Sequence, residues 1–134
     1  PINGIKVIIP GTMATGTNLS NQDTGVSIEQ LPRALSCTGD IYVVANVRAQ
    51  TVSEGGITYS AASSTEGAAG QRYEEIVYAL PGTKPCTAVR YFIHYAAIEN
   101  FEPGMVREFD RAALLAEFDK IRDSLRITAT STAQ

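Results

Sequence analysis

The chain has 134 residues, the size of one ordinary domain, of which 44% are hydrophobic and 19% charged. That composition supports a packed core and excludes global disorder. Fourteen acidic against eleven basic residues, a net charge of −3, leave no electrostatic footprint for nucleic acid, and no apolar run approaches ~18 residues, so no transmembrane segment is expected.

The chain opens on Pro1, which is expected of a processed or trimmed product. Ile5-Lys6-Val7-Ile8-Ile9 is a β-branched run stopped by Pro10-Gly11, an opening strand. Thr12 to Thr24 is polar and aperiodic, a long loop that includes the glycosylation triplet Asn18-Leu19-Ser20. Gly25 to Pro32 alternates with period two and reads as a second strand. Ile41 to Gln50 places Ile41, Val43, Ala45, Val47 and Ala49 on one face, as a half-buried strand does. Ser53-Glu54-Gly55-Gly56 is a turn into a strand over Ile57 to Ala61, and Ser63 to Gly70 is a polar tip. Arg72 to Leu80 and Thr87 to Ile98 are two further strands, the latter with large residues on both faces, as in a central strand.

Beyond Asp110 the period changes. Leu114, Phe118, Ile121 and Leu125 recur at helical steps, with Asp110 suited to cap the first turn. The tail over 128–134 carries no core signal and is expected to fray. The expected fold is α+β: one domain over 1–134 with its core over 5–127, an antiparallel β-sheet of about five to six strands packed by a C-terminal amphipathic helix.

The two cysteines, Cys37 and Cys86, sit in turn-like contexts that favour a disulfide over buried thiols. A bridge would close a loop of about 50 residues, worth roughly 4 kcal/mol in the chain-entropy model, and would point to an oxidising compartment. In a plain meander of the four central strands, the two cysteines would fall at opposite ends of the sheet, too far apart to bridge. The bridge is therefore retained and the plain meander disfavoured.

Two segments carry a family likeness. They are Phe109-Asp110-Arg111 with Glu117-Phe118-Asp119-Lys120-Ile121-Arg122-Asp123-Ser124-Leu125-Arg126-Ile127, and the entry Ile5-Lys6-Val7-Ile8-Ile9-Pro10. Together they cover about a fifth of the chain and resemble the Mog1/PsbP-like fold. Members of that fold are mostly small binding or assembly modules, often exported. The resemblance implies an interaction role and carries over no functional residue.

No metal or cofactor is expected, since one histidine and two distant cysteines offer no ligand spacing. Any imidazole-based catalysis must pass through His94, which lies mid-strand on the face of Arg90, Phe92 and Ala96, where a hydrogen-bonded structural role is the commoner one. The six tyrosines all fall in the proposed sheet and suit half-buried faces, but tyrosine also marks interfaces. Tyr42, Tyr59 and Tyr78 are the candidates for an exposed binding surface, and the two polar segments Thr12–Thr24 and Ala62–Gln71 for specificity loops. The leading expectation is a non-catalytic, extracytoplasmic binding or assembly module, periplasmic or secreted, whose partner is a protein of the envelope or secreted milieu. The alternatives are a small hydrolase using His94 with Cys37 or a serine, and an inhibitor that inserts a loop into an enzyme cleft.

Overall fold

The computed structural model describes residues 3–32, 34, 36–41 and 48–132, with side chains over 4–32, 34, 36–41 and 48–124. Among the described residues, six strands, β1 (Asn3–Ile8), β2 (Gly25–Leu31), β3 (Gln50–Glu54), β4 (Ile57–Ala68), β5 (Gln71–Leu80) and β6 (Cys86–Ala96), precede one α-helix, α1 (Arg111–Thr132). The strands form a single sheet in the order β1-β2-β6-β5-β4-β3, and every pairing is antiparallel. The α+β architecture follows from the two periods in the sequence, period two up to Ala96 and a helical period from Leu114 onward.

Alternation along β6 divides the two faces of the sheet. Val89, Tyr91 and Ile93 join Val26 beneath Leu114 and Phe118 of α1, and the loop residues Ile9, Ala14 and Leu19 close this core. Asp110 Oδ1 accepts the Ala113 N–H at 3.0 Å, the cap that its carboxylate suggests. α1 runs five residues past Ile127, to Thr132, because no glycine or proline there stops it; the Leu125 side chain lies outside the described residues. On the other face, near the start of β6, a smaller cluster of Val77, Ala79 and Ala88 packs against Leu31, Cys37 and Ile41.

Two expectations are corrected, and a third falls mostly outside the described residues. Strands β3 to β6 do form a plain meander, and Cys37 and Cys86 are nevertheless bridged, with Cα atoms 5.3 Å apart. The conflict disappears because β3 begins at Gln50, thirteen positions after Cys37, so the register of the meander does not fix where Cys37 lies. Leu31 pairs with Cys86, and the chain beyond it turns back over the sheet end, where the Cys37 sulfur sits 3.2 Å from Leu80 O. Of the strand expected over Ile41–Gln50, Ile41 lies in a turn, 42–47 fall outside the described residues, and only Gln50 is in β3. The segment Ser63–Gly70 is no loose tip: β4 continues to Ala68, and Ala69 and Gly70, with φ of 53° and 80°, make the tight turn into β5.

Candidate binding surface

The face of the sheet away from α1 collects charge and aromatic rings around the middle of β6. Arg90 forms an ion pair with Glu75 of β5 and lies 3.7 Å from Glu29 of β2, which in turn accepts the Ser27 hydroxyl at 2.5 Å. Lys6 of β1 places its ammonium 5.2 Å from the centre of the Phe92 ring. Two shallow cavities flank Arg90 and Phe92. One, of about 410 Å³, reaches across Ser27 and Glu29 to Gly4, Ile5 and Lys6. The other, of about 340 Å³, extends over Glu75 and Tyr73 to Ser64 and Glu66.

His94 closes this face at the far end of β6. Its Nδ1 meets the two oxygens of Asp23 at 2.8 and 3.1 Å, its Nε2 lies 2.7 Å from Gln71 Oε1, and its ring stacks on Tyr73 at 4.4 Å. Both ring nitrogens are engaged, so Nε2, which a hydrolytic nucleophile would need, faces an amide instead of a hydroxyl. Cys37 offers no thiolate, because it is bridged to Cys86 at the start of β6, eight residues from His94. Ser20 Oγ approaches Asp23 at 3.3 Å, not the imidazole.

The segment Thr12–Thr24 is stitched to the body. Asn18 is buried, donates to Ala96 O at 2.8 Å and accepts the Phe109 N–H at 3.0 Å, which makes the glycosylation triplet a structural strut. Ser20 N–H and the Thr24 hydroxyl both bind His94 O. The other expected loop, Ala62–Gln71, is mostly the β4–β5 hairpin.

The tyrosine surface is corrected as well. Tyr59 is only 2% exposed and Tyr78 is half-buried, since both point toward α1. Together with Tyr91 they surround the Arg122 guanidinium, whose carbon lies 4.1 Å from the Tyr78 ring centre, 5.2 Å from that of Tyr59 and 5.9 Å from that of Tyr91. Burial, then the charge of Asp119, pushes the Tyr78 hydroxyl pKa upward. Tyr42 lies outside the described residues.

No family model, curated protein or solved structure matches the chain. Among the described residues there is no group of three or more His, Cys, Asp or Glu placed to hold a metal ion, and no helix is long and apolar enough to cross a membrane.

What the sequence reading passed over is the outer edge of the sheet. β1 ends the strand order, and Ile5, Val7 and Ile8 are 70%, 43% and 41% exposed. Their β-branched character signalled a strand, but periodicity cannot say that the strand is an edge. The larger cavity opens directly onto this edge, so the apolar strand and the charged sheet face form one continuous surface.

Proposed function

We propose that the protein is a non-catalytic binding or assembly module of an oxidising, extracytoplasmic compartment, periplasmic or secreted, and that it holds a protein partner along β1 and the adjoining cavity. One observation carries this reading: among the described residues, three of the four exposed large hydrophobics stand on the six-residue edge strand β1. An edge with unpaired backbone groups and apolar side chains is a template for an added strand. The Cys37–Cys86 bridge supports the compartment, and the resemblance of the first strand and last helix to the Mog1/PsbP-like fold supports the interaction role.

A photo-crosslinking amino acid at Val7, with Met105 as the exposed control away from the sheet edge, tests the reading in cells that export the protein. A discrete protein adduct is expected from position 7 and none from position 105. Absence of an adduct at position 7, or a hydrolytic turnover abolished by His94→Ala, overturns it. Alkylation of the unreduced, unfolded protein taken from the same cells should add no label; two labels would contradict the compartment.

A further inference from the structure

We infer that the partner of β1 is a second copy of this chain, whose own β1 adds antiparallel about a two-fold axis through Ile5; the inference rests on β1 being the binding edge. Ile9 N–H donates to Thr24 O at 3.3 Å, and the β1–β2 register pairs Asn3 with Gln30 through Ile8 with Gly25. In an antiparallel ladder this phase turns the odd residues of β1 toward β2 and sends the N–H and C=O of Gly4, Lys6 and Ile8 outward. Among the described residues, no strand lies beyond those outward groups in the sheet order.

A symmetric antiparallel partner must match even residues with even ones, so the axis passes through Ile5, Lys6 or Val7. Through Lys6 it sets two ammonium groups directly opposite each other, which is repulsive. Through Val7 it brings Gly4 against Pro10 of the partner subunit, which has no N–H to give. Through Ile5, Gly4 and the partner's Lys6 exchange both backbone bonds, and Ile5, the most exposed of the three apolar residues on β1, meets its own copy.

The same register gives the partner's Lys6 a place to lie. A Cβ at Gly4 would stand 2.6 Å from Ile28 O and 3.1 Å from Glu29 Cγ, so the Glu29 side chain passes beside the gap that Gly4 leaves. The ammonium of the partner's Lys6, crossing Gly4, reaches that carboxylate. Apolar, steric and charge complementarity therefore agree on one register, and the axis, normal to the sheet, keeps both α1 helices on the same side.

Sedimentation velocity on the full chain tests the pairing, and a rise from monomer toward twice the mass is expected between micromolar and millimolar concentration. Under mild oxidation, Ile5→Cys should form a covalent dimer through position 5, about tenfold or more faster than Val7→Cys, because only the central non-hydrogen-bonded pair brings its Cα atoms within disulfide reach. Lys6→Pro removes outward hydrogen bonds while sparing the β2 ladder, and should give a folded monomer with an unchanged circular dichroism spectrum. A chain that stays monomeric throughout, or crosslinks equally at positions 5 and 7, overturns the inference. If it stays monomeric while the photo-crosslinker at Val7 captures a different protein, the binding edge stands and only the identity of the partner falls; with no adduct of either kind, both fall.

Discussion

At position 122 an arginine occupies a place where helical spacing from Leu114 and Phe118 puts the apolar face. Arg122 is 1% exposed and ion-paired with Glu54, and its Nε and Nη1 have no hydrogen-bond partner among the described residues. Burial pulls its pKa down, and the faces of three tyrosines with the Glu54 carboxylate compensate for the lost water. Glu54 is exposed and returns to water when its partner is lost, so the cost of removing the side chain is the void left between the rings, and Arg122→Ala should cost about 2–5 kcal/mol in urea denaturation. A loss of less than about 1 kcal/mol would show that the site refills with water. Beside it, Tyr91 donates to Asp119 at 2.6 Å, and burial first, then that bond, raises its pKa above the ordinary 10.0. A raised folded pKa favours the protonated fold: its contribution is complete below pH 10 and is lost as pH rises above it. Denaturation midpoints from pH 8 to 11 should therefore fall at the alkaline end, and Tyr91→Phe should flatten that fall, where midpoints of the two proteins that track each other would refute the assignment.

The elements themselves were legible to different degrees. The strands β1, β2 and β5 declare themselves through β-branched and aromatic residues closed by Pro-Gly or proline, β6 through its long apolar run, and α1 through the Leu114–Phe118 spacing. The outer half of β4 does not, because Ser63-Ser64-Thr65-Glu66-Gly67-Ala68 lies beyond the core on both faces and is held by its ladder with β5, from Ser63–Ile76 to Ala68–Gln71. Cross-strand pairing leaves no mark in composition. The candidate surface was legible only as parts: His94 was placed on its face beside Arg90 and Phe92, but Asp23 and Gln71, which bind its ring, are 71 and 23 residues away in the chain. Tyr59 failed as an exposed residue because a tyrosine in a strand looks the same from either side, and only the position of α1 decides which side is dry. For α1, Phe118 is fully buried against Tyr91 at 5.1 Å between ring centres, so Phe118→Ala should cost about 3–5 kcal/mol. Asp110→Ala, which removes only the cap, should cost about 1 kcal/mol. Equal losses in the two variants would mean that α1 is held by its end more than by its face.

Across the whole molecule, stability divides between the core under α1 and the far corner of the sheet, where the bridged cysteines, Leu31 and Ile41 cover Val77, Ala79 and Ala88. That corner is small, and the disulfide compensates for what it lacks in buried area. Replacing both cysteines by serine should lower stability by roughly 4 kcal/mol, the value expected for a closed loop of this length; an unchanged denaturation midpoint would show that the corner packs equally well without it. The bridge spans 49 positions and encloses β3, β4 and β5 entirely, while β1, β2 and α1 stand outside the ring. Tension applied at the two ends of the chain therefore passes from Cys37 to Cys86 through sulfur and bypasses the three strands between them. Under such a pull the edge strand and the helix yield, and the enclosed strands stay slack.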